Sequence, residues 1–376
     1  LVKRLLALEV RQFFKRPAWL IFAAIFFCML MWPYWQKTGT ITESQPPAER
    51  HSYFIIRDDA KAQLAAWEKE LPANSPQQPS IEDLKKEVAL LNPLIDLYVS
   101  DGETNRLEIT KARLDFEQFY LQELENGRYD ENQTILQQKL LVRELTELVE
   151  KNITEVRMPD TKIPAINRLT ATLRNDTPLI WLLFLFVLAV SFYIIEDKRH
   201  PSIDFINSWP IAKGWIIAQK QIIFLIFFSL GVSISFYLSF FLPAITEGFG
   251  DSSYPLPYSI DGQNVLIMKS STFLIYMILY FLAIIFFLTS LSGFIQLFTK
   301  NILVNLLILG SLVFLSGGGQ ARKFLPTSYF NVPEFLLPTG GSGNLFREKG
   351  GLLVIVLWGL GLLIFNCLIA QRRQRI

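Results

Sequence analysis

A chain of 376 residues that is 51% hydrophobic and 14% aromatic, with 31 Phe and only 19% charged residues, holds more apolar side chain than a soluble domain normally does. It reads as a polytopic membrane protein. The net charge of +2 conceals a split: residues 36–176 carry about 18 basic against 25 acidic groups, which leaves the remainder near plus nine.

Residues 1–16, LVKRLLALEVRQFFKR, place Val2, Leu5, Leu6, Val10, Phe13 and Phe14 on one helical face and Lys3, Arg4, Arg11 and Lys15 on the other. This predicts a cytoplasmic amphipathic helix against anionic headgroups, with a plain orientation signal for the next segment as the other reading. Residues 17–35 are the first predicted span, closed by the interfacial aromatics Trp32, Tyr34 and Trp35. Bulky side chains stand where a signal peptide would need small ones, so the span is expected to be retained.

From residue 36 to 176 the hydropathy collapses over about 140 residues, enough for a domain, which the topology puts outside the cytoplasm. Tyr53, Ile56, Ala60, Leu64, Trp67 and Leu71 recur at spacings of three and four, as do Leu84, Val88, Leu91, Ile95 and Tyr98. Ile109, Ala112, Phe116 and Phe119 continue the pattern, followed by Leu141, Leu145 and Leu148. Breaks fall at 72–79, 101–102 and 126–127, predicting four helices packed as hairpins.

The second span, 177–195, leads into a short polar loop, 196–220, before the third span at 221–242. Lys198, Arg199, Lys213 and Lys220 place that loop in the cytoplasm by the positive-inside rule. Pro201 and Pro210 interrupt helix continuation, so residues 202–209, with apolar Ile203, Phe205, Ile206 and Trp209, read as a short helix lying across the membrane face. A solvated ionic turn is the alternative.

Glu196, then a small residue, then an apolar stretch closing on Ser-Trp-Pro-Ile-Ala-Lys at 208–213, with Lys220 opening the next span, resembles the corresponding loop of type 2 ABC transporter permeases. That family usually carries a Gly-Thr pair and Leu-Pro-Ile-Ser, where this chain has Pro201-Ser202 and Trp209-Pro210-Ile211-Ala212. The resemblance implies that Glu196, Ser202, Ile203, Phe205, Trp209, Pro210 and Lys213 belong to a coupling loop seated on a cytoplasmic ATPase, and that residues 1–16 are the elbow helix. It covers nearly all of the chain except the segment 36–176.

The third span carries Ser229, Ser233, Ser235 and Ser239, suited to close helix contact or to lining a path. An outer loop at 243–270 precedes the fourth span, 271–298, and a tight turn leads to the fifth, 302–318, which contains Asn305 and Gly310. Ser229, Ser233, Ser235 and Asn305 are the candidate path-lining residues. LSGGGQ at 315–320 is one glycine longer than an ABC ATPase signature. The chain contains no phosphate-cradling Walker loop, so these glycines read as a surface turn.

Residues 319–350, aromatic and proline-rich, are expected at the outer interface. Their Pro-x-Ser-Tyr-Phe-Asn order before a final span again resembles type 2 ABC permeases. The sixth span, 352–370, precedes a basic tail, 371–376, that keeps the C-terminus inside.

The expected fold is therefore all-α, six spans with both ends cytoplasmic and a large helical extracytoplasmic domain between the first two. Cys28 and Cys367 lie in apolar runs, His51 and His200 lack metal-ligand spacing, and neither a nucleophile elbow nor a carboxylate pair is marked out. No catalytic residue, metal or cofactor of its own is expected. By the resemblance the chain is the permease of an exporter in a bacterial plasma membrane, moving an amphipathic or hydrophobic peptide, antimicrobial or lipid. Its partners would be ABC ATPase subunits, which hold ATP and Mg, and a second or related permease, with no nucleic acid. The alternative is a membrane-anchored sensor or assembly scaffold that binds a ligand through its outer domain.

Overall fold

The computed structural model describes residues 10–11, 18–38, 48–70, 78–100, 106–127, 135–156, 162–174, 176–196, 213–299, 301–314, 324–338 and 349–375. Helix α1 spans Ala18–Thr38. Four helices follow, α2 (Ala48–Glu70), α3 (Gln78–Ser100), α4 (Arg106–Glu125) and α5 (Ile135–Glu150), then the ten-residue α6 (Ala165–Arg174) and α7 (Asp176–Glu196). Helix α8 (Lys213–Glu247) is joined to α9 (Ser270–Phe298) through strands β1 (Pro255–Ser259) and β2 (Val265–Lys269). Helix α10 (Ile302–Phe314), a 3-10 turn at Pro326–Tyr329, α11 (Val332–Leu336) and α12 (Lys349–Arg375) complete the order.

The four-helix segment is built in sequence order, α2 on α3, α3 on α4 and α4 on α5. Its apolar stripes recur every three or four residues, so each helix has one face to bury. Tyr53, Leu91, Leu94, Ile95, Tyr98, Ile109 and Phe116 close on one another as a core. Inside it the Tyr53 hydroxyl donates to Glu117 at 2.6 Å, and Gln138 of α5 donates to the same carboxylate at 2.7 Å and to the Glu117 carbonyl at 3.0 Å. A buried carboxylate is tolerated only with such partners. Burial holds Tyr53 well above the usual phenol range. A second core, Leu114, Leu145, Leu148 and Ile153, takes in Tyr254 from the connection between α8 and α9.

The remaining helices form an apolar bundle around α9. Phe273, Tyr280, Phe281, Ile284, Ile285 and Leu288 of α9 are at most 2% exposed. Helix α12 packs along α9, α8 contacts α1 and α12, and α7 contacts α1, α9 and α10. Outward faces are apolar too: Ile226, Leu230 and Ile234 of α8 are each at least half exposed, as are Leu353 and Leu357 of α12. A helix that is hydrophobic all round needs an apolar surrounding. Among the described residues Gly214–Glu247, Ser270–Phe298 and Lys349–Arg372 are long and apolar enough to cross a membrane, and α6 with the apolar part of α7 would make a fourth. Leu20–Trp32 and Ile302–Phe314 are shorter apolar helices.

The structure departs from a purely helical reading within residues 243–270. Strands β1 and β2 pair antiparallel from Pro255↔Lys269 to Ser259↔Val265. Asp261 organises their turn, accepting from the backbone N–H groups of Asn264 (2.7 Å) and Gln263 (2.9 Å) and from Asn264 Nδ2 (2.6 Å). These donors hold its carboxyl low, at about 2. Pro255 and Pro257 argue against a strand in sequence, yet in a two-stranded ribbon a proline can stand where no ladder bond is needed.

The aromatic segment before the last helix is packed on the bundle. Tyr329, Phe330, Val332 and Leu336 are buried, with Phe335 against the rings of Tyr280 and Tyr329.

Candidate functional site

Glu196 closes α7 and Lys213 opens α8. The stretch between them, with Ser202, Ile203, Phe205, Trp209 and Pro210, lies outside the described residues.

The four polar residues singled out within the apolar runs fall into different surroundings. Ser235 is buried against α1, donating to Gly231 O (2.9 Å) and to Ala23 O (3.1 Å), and a Cβ added at Gly231 would stand 3.6 Å from the Ala23 Cβ. Small residues thus let α1 and α8 approach closely. Ser229 is half-buried and Ser233 exposed on the other side of α8. Asn305 is buried where α7, α9 and α10 meet, its Nδ2 donating to Ser292 Oγ (2.8 Å) and Ser191 Oγ (3.2 Å). An interhelical bond of this kind in an apolar medium contributes roughly 0.6–1.7 kcal/mol. Asn305→Ala is accordingly expected to lower the thermal midpoint of the purified protein by a few degrees, measured beside an exposed control such as Ser233→Ala.

A second polar cluster passed unnoticed in sequence. Gln221 of α8, Ser290 of α9 and Asn366 of α12 are at most 2% exposed. Asn366 Nδ2 donates to Ser290 O at 2.8 Å. A Cβ at Gly293 would overlap the Gln221 amide and stand 3.2 Å from Asn366 Nδ2, so glycine lets both amides lie across α9. Among the described residues, both amide atoms of Gln221, Asn366 Oδ1 and Ser290 Oγ have no hydrogen-bond partner. Each such group costs roughly 1–3 kcal/mol when enclosed. The cluster offers neutral donors and acceptors between three helices, and no acid, base or nucleophile. Its sequence signal is slight: Gln221 stands at the edge of one apolar run, beside Gln219 and Lys220, and Asn366 within another.

A buried ion pair joins the four-helix segment's connection to the end of α8. Helix α6 is enclosed by α1, α7, α8, α9 and α11, and its residues from Ala165 to Thr170 are all buried. Arg168 pairs with Glu247, the last residue of α8, and their side chains are 8% and 12% exposed. The N–H groups of Ala165 and Ile166 donate to the carbonyls of Gly248 (2.9 Å) and Phe249 (3.1 Å). Gly250, at φ +80°, lets the chain turn directly under this contact. The periodicity reading passes over α6 because Asn167, Arg168, Thr170 and Thr172 give it a polar look although all four are buried. This junction ties the connection from the helical segment to the end of a long apolar helix. No protein-family model matches the chain, and neither a curated protein nor a solved structure does.

Proposed function

We propose that the chain is the membrane-spanning permease subunit of an ATP-driven ABC exporter. In this reading it crosses the plasma membrane six times with both ends in the cytoplasm, and residues 36–176 lie outside. The observation that carries it is the residue pattern at 196–220, which runs from the end of the apolar helix α7 into the first turns of the apolar helix α8. The length of α8 supports the reading: its 35 residues span about 52 Å, well beyond a hydrocarbon core of about 30 Å. A movement imposed at its Lys213 end would arrive at the Arg168–Glu247 pair. Two ATPase subunits would hold ATP and Mg, and a second permease would complete the path. Apolar outward faces broken by Ser229 and Ser233 suit an amphipathic or hydrophobic cargo.

The same junction favours a second reading, a sensor or scaffold in which ligand binding by the helical segment is relayed to the bundle without transport. The two are separated by purifying the tagged full chain in mild detergent beside a variant in which residues 196–210 are scrambled, and assaying ATP hydrolysis in both eluates. An ATPase that accompanies the wild type and is lost from the scramble supports the permease. Hydrolysis in neither eluate overturns it in favour of the sensor.

A further inference from the structure

The amides of Gln221 and Asn366 meet beside Gly293 at one level of the bundle, near the end where α8 begins and α9 and α12 finish. At a rise of about 1.5 Å per residue, Gln221 stands about 12 Å from Lys213, Ser290 about 12 Å from Phe298 and Asn366 about 9 Å from Arg372. The three helices share that end: Gly214 packs against the Cys367 carbonyl, and the rings of Phe294 and Phe365 lie 5.8 Å apart. The cluster is therefore about two turns inside the apolar part of the bundle.

The Cβ position of Gly293 is overlapped by Gln221 Nε2 and lies 3.2 Å from Asn366 Nδ2, so two nitrogens that can only donate stand together. Neither can accept from the other. Asn366 Nδ2 spends one hydrogen on the Ser290 carbonyl. Among the described residues, Gln221 Oε1 and Asn366 Oδ1 are acceptors without a donor, and Ser290 Oγ, also without a partner, can serve in either sense. The group that answers all of these is small and neutral, accepting from amide nitrogens while donating to amide oxygens. A cation would suit the oxygens and be opposed by the N–H groups, and an anion would meet the reverse. Water has two hydrogens and two lone pairs, and enclosed water makes about three bonds to groups of this kind.

We infer that Gln221, Ser290 and Asn366 form a binding site for water, which wets the joint between α8, α9 and α12 inside the apolar bundle. A bond through water is nearly as favourable as a direct one. It also accommodates changes of spacing between α8 and α12 that a direct amide pair would not. The site stands whether the chain transports or senses.

The test is water-edited solid-state NMR on the isotope-labelled full chain in bilayers of zwitterionic lipid. The side-chain signals are identified by their loss in Gln221→Met and Asn366→Leu. Magnetisation is expected to reach both amides within about twofold of its rate at exposed Gln263, and about fivefold faster than at the backbone N–H of Ile284, which is fully enclosed on α9. Ser290→Ala, which leaves the Ser290 carbonyl in place, should slow the transfer to Asn366. Rates at both amides equal to that at Ile284 overturn the site, the Gln221 amide having then turned end for end to accept from Asn366 directly. Amide signals that move when sodium chloride is exchanged for potassium gluconate assign an ion in place of water, and overturn it equally.

Discussion

Replacing Glu247 with leucine is expected to destabilise the protein by about 3–5 kcal/mol, because it breaks a buried ion pair by removing one of its two charges. Both side chains are close to nine-tenths enclosed, so little water is at hand to screen the loss. The pair itself need not be a large net source of stability, since bringing two charges out of water offsets most of their attraction. Arg168→Met combined with Glu247→Leu should therefore recover most of what the single change removes. Denaturant melts of the two variants in detergent decide the matter: equal midpoints would mean that the charges make no specific contribution.

Gly250→Ala is expected to cost about 2–4 kcal/mol, from two sources at one position. At φ +80° any side chain pays about 1 kcal/mol for the left-handed backbone. The added Cβ would also stand 2.6 Å from the Pro164 Cβ, 2.7 Å from Ile166 Cγ2 and 2.9 Å from Asn167 Oδ1. A proline ring and a β-branched side chain at the head of α6 have little room to yield, and overpacking of this kind costs about 1–3 kcal/mol. Gly248 is the built-in control, with φ +91° and nothing within 4 Å of its added Cβ. Gly248→Ala should show only the backbone part, about 1 kcal/mol. If the two alanine variants melt together, α6 is not pressed against residue 250 and the junction is looser than drawn.

Much of the helical architecture is legible in the residue pattern, because it rests on local periodicity. Tyr53, Leu91, Ile95, Tyr98, Ile109 and Phe116 recur at helical spacing and meet in one core, and Leu145 and Leu148 enter the next. Continuous apolar runs announce the long helices equally plainly, since lipid-facing and core-facing positions are both hydrophobic.

What escapes is decided by tertiary contact. Helix α6 carries Ile166, Leu169 and Leu173 at helical spacing, but over only ten residues, and that local pattern does not show that its polar side chains are buried as well: Arg168 meets Glu247, and the Thr172 hydroxyl donates back to the Arg168 carbonyl. The hairpin was signalled by Asp261-Gly262 between two apolar runs, a strong turn pair. Pro255 and Pro257 hid it. Ser235 and Asn305 look alike in sequence to Ser229 and Ser233, polar interruptions of an apolar run; only packing shows that the first two bond to neighbouring helices while Ser233 faces outward. The Gln221 and Asn366 amides are 145 residues apart and share a site only because both lie across Gly293.

The enclosure of α6 also fixes an order of events during synthesis. The four helices before it contact their immediate neighbours in the chain, so the core around Leu91, Ile95 and Phe116 can form early, as local contacts favour. Helix α6 cannot follow them, because Arg168 awaits a carboxylate 79 residues further on and its first N–H groups await the carbonyls of Gly248 and Phe249. At translation rates of about 5–20 residues per second that gap lasts about 4–16 s. During this interval the helical segment still lacks Tyr254 from its second core, and Arg168 has yet to meet Glu247, so the two contacts that tie the segment to the later chain close together.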